Sequence, residues 1–266
     1  METMKNGLVR YGKDEHGVAT IELFNAPANA YSLEMMRDLD DAILAARFDE
    51  GVHVIVLRGS GEKFFCAGAD IAMLGRVSTR FKYMFCLHAN ETLNRLEQTP
   101  KLVIAAIHGH CVGGGLEVAM AADLRVAARG AGKLGLPEVN LGVLPGTGGT
   151  QRFARLVGKA RAIELMAEGR TFDADEAKAF GVVNQVWEKE GFFEKVAEYA
   201  RGFCPPHRAS MAVGHIKRAV QTGAEMALEQ GLALERELQQ RLFESIDAGE
   251  GIGAYNEKRK PEFHGE

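Results

Sequence analysis

Two glutamates of the sequence stand in stretches that are otherwise apolar. Glu117 lies two residues after Gly113-Gly114-Gly115 and is followed by Val118–Ala122, while Glu138 comes directly after Leu136-Pro137. A buried carboxylate is costly unless it has a partner or a catalytic task, and two close carboxylates raise the pKa of one of them. Such a pair suits general acid–base catalysis. The alternative is that each is an exposed first-turn glutamate favoured by the helix dipole, and the residues alone leave both interpretations open.

The glycines before Glu117 indicate what such carboxylates would act on. Because glycine has no Cβ, the backbone N–H groups of Gly113–Gly115 and of the turn Cys66–Asp70 can approach a ligand closely. N–H groups at the start of a helix suit an oxygen that gains negative charge during a reaction. This pattern predicts an oxyanion hole. Two ordinary tight turns would explain the same glycines, and that alternative also stays open.

The glycine-rich loops do not fit a phosphate-binding motif. A G-x-G-x-x-G pattern that starts at Gly113 or Gly146 would need its third glycine at the position of Val118 or Gln151. The pair Gly149-Thr150 lacks the lysine of a Walker A loop. Nucleotide phosphate binding by these loops is therefore not predicted.

The potential metal ligands are equally unconvincing. His108-Gly109-His110-Cys111 brings three such side chains together, but alternate residues at a strand end share a face only in part, and no second shell is evident. The four cysteines, at positions 66, 86, 111 and 204, are widely spaced without a C-x-x-C pair, which fits a reducing compartment. We therefore predict no metal site and no cofactor.

The composition is that of an ordinary globular protein. The chain has 266 residues, of which 46% are hydrophobic, and 32 Lys+Arg against 36 Asp+Glu give a net charge of −4. This balance offers no basic excess for a nucleic acid, so no nucleic-acid partner is expected. No signal peptide and no run of 18 apolar residues is evident, so we expect no membrane association and a cytoplasmic location.

Apolar runs alternate with helical stretches along most of the chain, which predicts an α/β fold with parallel strands covered by helices. The predicted strands are Val18–Leu23, Val54–Leu57, Val103–Ile107, Leu124–Ala127 and Val182–Val186, and the predicted helices between them include Ser32–Phe48 and Leu116–Ala122.

Only helices are predicted after about Gly191. Leucines recur every four residues at positions 234, 238 and 242, which gives one apolar face. That face can cover the chain's own core or pack on a neighbouring subunit, and periodicity does not decide between them. The predicted helices are Glu194–Gly202, Arg208–Gln221 and Glu225–Ser245.

Several motifs in one order resemble the enoyl-CoA hydratase/isomerase (crotonase) family over nearly the whole chain. The resemblance implies a crotonase-like ββα spiral core over residues 1–195 and a C-terminal helical trimerisation region over residues 196–266. It also implies a homotrimer or a dimer of trimers. The matching segments are His108–Glu117, Leu136–Gly146, Phe65–Ile71, Gly148–Arg152, Ala174–Ala177 with Gly181–Val183, and Glu257–Lys260.

The resemblance implies a role for each residue of the predicted site. In the family two backbone N–H groups bind the thioester oxygen, and these match Ala69 and Gly114. Two glutamates hold the attacking water in the hydratases, and both positions are glutamate here: Glu138 would protonate the α-carbon, and Glu117 would orient and deprotonate the water. Family members that only isomerise double bonds usually lack the first of these glutamates.

The resemblance further implies an acyl-CoA substrate and the residues that contact it. Coenzyme A is then part of the substrate rather than a cofactor. Tyr255 and Lys258 match C-terminal positions that reach the nucleotide end, although Lys258 also belongs to a charged run that solvent alone would explain. The residues that match the substrate groove are Ala28, Ala30, Ala67, Ala69, Asp70 and Ile71.

We therefore expect a 2-enoyl-CoA hydratase that acts in fatty acid metabolism, as in β-oxidation. The alternatives are double-bond isomerisation, hydration of a cyclic or branched acyl group, and a non-catalytic RNA- or protein-binding member of the family. One departure bears on these expectations: the segment Arg129–Lys133 is a residue longer than expected and contains Gly130 and Gly132. If this segment displaced Glu138, the acid role would be lost.

Overall fold

The computed structural model describes all 266 residues and contains two β-sheets surrounded by eleven helices. The larger sheet has seven strands in the order β1-β2-β3-β4-β6-β8-β11, and every pair from β3 to β11 is parallel. Its strands are β1 (Glu2–Thr3), β2 (Val9–Lys13), β3 (Val18–Leu23), β4 (Val54–Gly59), β6 (Leu102–Ile107), β8 (Leu124–Ala128) and β11 (Gln185–Trp187).

The smaller sheet has the order β10-β9-β7-β5. Its strands are two or three residues long: β5 (Phe64–Cys66), β7 (His110–Val112), β9 (Leu134–Gly135) and β10 (Thr171–Phe172). Strand β7 pairs in parallel with both β5 and β9, so the turns that follow β5 and β7 emerge side by side. This sheet was not predicted from the sequence, and it is the element that positions the two glycine turns.

The helices connect and cover these sheets. Helix α1 begins where predicted, because the Ser32 hydroxyl accepts a hydrogen bond from the Met35 amide and caps its first turn. The helices are α1 (Leu33–Phe48), α2 (Ile71–Leu74), α3 (Thr79–Gln98), α4 (Gly114–Met120), α5 (Gly149–Val157), α6 (Lys159–Glu168), α7 (Ala174–Ala179), α8 (Phe192–Arg201), α9 (Ser210–Gly223), α10 (Leu228–Phe243) and α11 (Ile246–Glu257).

The predicted parallel α/β core is confirmed, with corrections at three places. The run Val182–Val186 is not one strand, because Val182 and Val183 are buried in the turn after α7 and β11 begins at Gln185. Helix α4 begins at Gly114, two residues before its predicted start. The long C-terminal helix predicted at Glu225–Ser245 is shorter, and Ser245 instead caps the separate helix α11.

The core lies on both faces of the larger sheet. One apolar cluster of 41 buried residues joins one face to α1, α3 and α4, and a second cluster of 12 residues joins the opposite face to α8. The predicted boundary between residues 195 and 196 falls inside α8, which packs on β3, β4 and β6. None of the helices combines the length and the apolar character that a membrane crossing requires.

Candidate active site

The turns after β5 and β7 meet at Gly68 and Gly114. Gly68 has a φ of +91°, and a Cβ built on it would lie 2.9 Å from the Gly114 amide nitrogen. Only glycine accommodates both this backbone conformation and this close approach. The N–H groups of Ala69 and Gly114 donate to no acceptor in the protein, whereas their neighbours Asp70 and Gly113 donate to backbone carbonyls. Each of the two adjacent turns therefore presents an N–H donor without an acceptor in the protein, Ala69 on one and Gly114 on the other.

The turn that carries Ala69 is fixed on both sides by one residue. The Tyr31 amide donates to the Gly68 carbonyl at 2.9 Å, and the Asp70 amide donates to the Tyr31 carbonyl at 3.0 Å. This pairing is an isolated parallel β-bridge between Tyr31 and Ala69. These two hydrogen bonds flank Ala69 and hold its amide in place, while the Ala69 N–H itself has no acceptor.

Glu117 is buried in the first turn of α4, with 2% of its surface exposed. Its Oε1 accepts two hydrogen bonds of 2.7 Å, one from the amide of Thr147 in the loop before α5 and one from the amide of Gly149, the first residue of α5. Burial raises the pKa of Glu117, and the hydrogen bonds from Gly149 and Thr147 oppose that rise. The environment therefore buries this carboxylate while supplying donors that stabilise its charged form.

Glu138 faces the same turns from a short 3-10 helix, Glu138–Leu141. A Cβ built on Gly113, the residue before Gly114, would lie 3.0 Å from Glu138 Oε1, so the carboxyl group lies against the glycine turn. The other oxygen, Oε2, is buried without a hydrogen-bond partner. Burial, with a smaller contribution from the negative charge of Glu117, raises the pKa of Glu138 to about 7.

The two carboxyl groups thus have different surroundings within one site. Glu117 accepts two backbone N–H donors, whereas Glu138 has an oxygen without any donor and stays protonated up to near-neutral pH. Different environments of this kind separate a base from an acid. The longer segment with Gly130 and Gly132 leaves Glu138 beside Gly113.

The predicted substrate-groove residues lie close to this site. The Ala67 amide donates to the Ala28 carbonyl at 3.0 Å, which joins the loop after β3 to the turn after β5. Asp70 caps α2 by accepting from the Met73 amide at 3.1 Å. Ile71 begins α2 with 55% of its surface exposed, and Ala30 belongs to the same loop as Ala28.

Tyr255 and Lys258 lie at the end of α11, and the structure does not join them to the acid pair. Tyr255 is 84% exposed, and Lys258 ends the helix in a left-handed conformation with a φ of +58°. Neither side chain forms a hydrogen bond to Glu117, Glu138 or the glycine turns. Their proposed contact with coenzyme A stays a prediction.

The histidines of the segment 108–111 have structural partners. His108 Nε2 lies 2.9 Å from the Gly61 carbonyl oxygen, and His110 Nδ1 accepts from the Lys133 amide at 3.0 Å. The His110 ring also packs against Phe64, with ring centroids 5.2 Å apart. No group of three or more His, Cys, Asp or Glu side chains is arranged to hold a metal ion.

Two residues of the site were not identified from the sequence. Thr147 provides a backbone donor to Glu117, and Tyr31 places its hydroxyl 3.1 Å from Thr147 Oγ1. Thr147 stands inside the glycine-rich segment 142–149, but nothing in that segment marks it as a partner of Glu117. Tyr31 precedes the N-cap Ser32, and the sequence gives no signal of its contact with a residue 116 positions away.

Comparison with known proteins gives a consistent result. Residues 13–266 match the model of the family described as enoyl-CoA hydratase/isomerase. A probable enoyl-CoA hydratase of Bacillus subtilis (strain 168) is 39% identical over 251 residues, which cover 94% of this chain and 96% of that protein. The mitochondrial methylglutaconyl-CoA hydratase of Mus musculus is 36% identical over 264 residues, which cover 97% of this chain and 83% of that protein.

The solved structures agree with the sequence comparison. A crystal structure of an enoyl-CoA hydratase from Geobacillus kaustophilus HTA426 superposes with a TM-score of 0.95 at 45% identity, and the match covers 97% of each chain. The predicted crotonase-like fold is confirmed by this likeness.

Proposed function

Since the chain belongs to the enoyl-CoA hydratase/isomerase family, we propose that it adds water across the 2,3 double bond of an enoyl-CoA thioester. The observation that carries the proposal is the pair of differently stabilised carboxyl groups, Glu117 and Glu138, beside two free N–H donors. Such a site combines electrostatic stabilisation of an oxyanion with proton transfer, and hydration of a conjugated thioester needs both.

The N–H groups of Ala69 and Gly114 are the proposed oxyanion hole. When water adds to C3, the electron pair of the double bond moves toward the thioester carbonyl, whose oxygen becomes negative. Two fixed donors stabilise that charge without reorganising, and each donor in such a site is typically worth about 3 to 4 kcal/mol. Glu117 lies within the same first turn of α4 as Gly114, so the donor and the carboxylate share one rigid element.

The two carboxyl groups divide the proton transfers. Glu117, with its charge stabilised by two amides, orients the water and takes one of its protons as the oxygen bonds to C3. Glu138, whose pKa is about 7, supplies the proton that forms the new C2–H bond. Charge is conserved within the pair, and proton exchange restores both groups after the product leaves. We propose no resident cofactor, because these groups supply every proton and charge interaction that the step requires.

The substrate groove follows from the same geometry. We propose that coenzyme A lies along the loop of Ala28 and Ala30 and the turn Ala67–Ile71, which ends at the oxyanion donor Ala69. Tyr255 and Lys258, which do not contact the acid pair within one chain, are proposed to reach the nucleotide end of a substrate bound in a trimer or a dimer of trimers. Light scattering on the protein as it elutes from a size-exclusion column measures its molar mass. The mass of a monomer would exclude the proposed trimer or dimer of trimers.

The direct test of the activity follows the loss of the conjugated thioester absorbance when the protein is mixed with 2-enoyl-CoA esters of increasing chain length. We expect turnover with at least one ester, and a 3-hydroxyacyl-CoA product identified by mass. Absence of turnover with every ester, including branched ones, would exclude the proposal. The branched esters belong in the series because the relative from Mus musculus is a methylglutaconyl-CoA hydratase.

Glu117→Gln distinguishes hydration from double-bond isomerisation. Hydration needs Glu117 to take a proton from water, so the variant should lose hydration by a hundredfold or more. An isomerase moves one proton between carbons and would tolerate the change. The wild type and Glu117→Gln are therefore each assayed with 2-enoyl-CoA and with 3-enoyl-CoA substrates.

A further inference from the structure

The Tyr31 side chain contacts two parts of the site that lie far apart in the sequence. Its hydroxyl lies 3.1 Å from Thr147 Oγ1. It also lies directly against the Cα of Gly114, so closely that a Cβ on that residue would overlap the Tyr31 hydroxyl. The hydroxyl therefore lies between the oxyanion donor Gly114 and the loop that carries Thr147, and it contacts both.

Each of these neighbours belongs to the reacting groups of the proposed hydratase. The Thr147 amide is one of the two donors that fix Glu117 Oε1, at 2.7 Å. The Tyr31 backbone forms the two hydrogen bonds that bracket Ala69, the other oxyanion donor. One residue therefore contacts both elements of the oxyanion hole and the loop that holds the water-orienting carboxylate.

The position of Tyr31 is itself well determined. It is 3% exposed, and its ring packs against Phe85 of α3 with centroids 5.8 Å apart. Burial, together with the negative charge of Glu117, raises the pKa of Tyr31 well above its usual range, so the hydroxyl stays protonated. A buried, protonated hydroxyl with a single side-chain partner is a rigid spacer.

We propose that Tyr31 is a positioning residue, whose hydroxyl sets the distance and orientation of Glu117 relative to the oxyanion donors Ala69 and Gly114. This inference rests on the proposed hydratase function, because it concerns how accurately the same groups are placed. Catalysis by positioned groups is steep in distance, and a displacement of about 1 Å can cost a hundredfold in rate. Loss of one supporting hydrogen bond should have a smaller but measurable effect.

Tyr31→Phe removes the hydroxyl and keeps the ring that packs on Phe85. We expect kcat for the best enoyl-CoA substrate to fall about tenfold with KM changed less than twofold, because the lost contact affects placement rather than substrate binding. The acid limb of the pH profile of kcat should also move to higher pH, since the Glu117 carboxylate loses part of its hydrogen-bonded support. Tyr199→Phe on α8, remote from the site, is the matched control and should match the wild type.

Thr147→Val removes the Oγ1 that contacts the Tyr31 hydroxyl, together with the hydrogen bond from the Thr147 side chain to Glu117, while it keeps the amide donor to Glu117. We expect a similar loss of kcat, and the double variant Tyr31→Phe/Thr147→Val should lose little more than the larger single loss. Because this variant does not alter the aromatic core, it also tests the inference if Tyr31→Phe fails to fold.

The outcomes separate the inference from the proposed function. An inactive wild type would overturn the proposed function. An active wild type with Tyr31→Phe kinetics within twofold of it, and with an unshifted pH profile, would overturn the role of Tyr31 alone. Fully additive losses in the double variant would show that Tyr31 does not act through Thr147 and would likewise overturn the inference.

Discussion

The two ends of helix α4 carry acids in opposite kinds of surroundings. Asp123 follows the C-terminal end of α4, and both of its carboxylate oxygens have partners. Oδ2 accepts from the Val103 amide at 2.7 Å and lies 2.9 Å from Lys217 Nζ. Oδ1 accepts from Gln221 Nε2 at 2.7 Å. Lys217 in turn donates to the carbonyl of Lys101 at 3.0 Å. Both carboxylate oxygens of Asp123 are therefore already occupied by donors of the protein.

The acids near the N-terminal end differ in that no cation is paired with them. Glu117 accepts from the amides of Thr147 and Gly149, and Glu138 has an oxygen with no partner at all. Burial raises the pKa of Asp123 as it does for both glutamates, so desolvation alone does not distinguish the two regions. The difference lies in whether the hydrogen-bonding capacity is already used.

The comparison shows how one helix serves two purposes. At the Asp123 end, an ion pair with Lys217 attaches α9 to β6 and the end of α4, and its contribution is to stability. At the Glu117 end, unused donors and an unpartnered carboxyl oxygen are available to a substrate. Substitutions at the two ends should therefore affect different properties.

The largest expected effect is on activity, from Glu138→Gln. The amide keeps the shape of the side chain but cannot supply the proton for C2, so we expect kcat to fall about a thousandfold, which corresponds to about 4 kcal/mol. The measurement is the hydration rate at pH 7. The matched control is Glu235→Gln at an exposed position of α10, which should leave the rate unchanged. Full activity of Glu138→Gln would show that Glu138 does not supply the proton for C2.

The next effect is on stability, from Lys217→Met. Removing one partner leaves Asp123 as an uncompensated buried charge, so we expect the free energy of unfolding at pH 8 to fall by about 3 kcal/mol. The loss should shrink at pH 5, where Asp123 is more easily protonated. Urea unfolding at a fixed protein concentration measures both values.

The control for this prediction is Lys195→Met, an exposed lysine on α8 that should change the stability by less than about 0.5 kcal/mol. Hydration activity of folded Lys217→Met should stay close to that of the wild type. A large loss of kcat with unchanged stability would reverse the roles assigned to the two ends of α4.

A third effect concerns the pH dependence of stability at the catalytic end. Glu138 titrates at about 7 when folded and near its ordinary value of 4.5 when unfolded. Below pH 4.5 the group is protonated in both states and has no effect, whereas between pH 4.5 and 7 ionisation increasingly favours the unfolded state. Glu138→Gln removes this cost, so it should become more stable than the wild type by about 1 to 2 kcal/mol at pH 8, after allowance for partial solvent exposure.

Thermal unfolding at pH 4.5, 6 and 8 tests this sign. The stability difference between Glu138→Gln and the wild type should be near zero at the lowest pH and increase with pH. A variant that is less stable than the wild type at pH 8 would mean that the Glu138 carboxylate is stabilised in the folded protein, contrary to its unpartnered oxygen.

The sequence was sufficient for the elements that carry long patterns. The parallel strands β3, β4, β6 and β8 are mostly apolar segments of five or six residues, and the start of α1 has a serine cap, so both were predictable. The smaller sheet escaped prediction because strands of two or three residues have no measurable periodicity. Its pairing depends on contacts between segments far apart in the chain.

The residues of the site can be divided in the same way, into those recognisable from the local sequence and those whose partners lie far away in the chain. The glycine turns and the two glutamates were found because unusual residue types stand next to each other in the sequence. The cation that pairs with Asp123 and the hydroxyl of Tyr31 were not found, because each meets its partner only through folding, over 94 and 116 positions respectively. Lysine and tyrosine at those positions look like ordinary helix and loop residues.

The smallest expected effect is within the Asp123 cluster, from Gln221→Met. The variant loses the 2.7 Å hydrogen bond from Gln221 Nε2 to Asp123 Oδ1, which would cost about 1 to 2 kcal/mol for a charged acceptor. The same change removes Gln221 Oε1, a buried oxygen without a partner, and that removal offsets part of the loss. We therefore expect urea unfolding to show a decrease of less than about 1 kcal/mol, well below that of Lys217→Met. An equal loss from the two variants would mean that the hydrogen bond stabilises this end of α4 as much as the ion pair does.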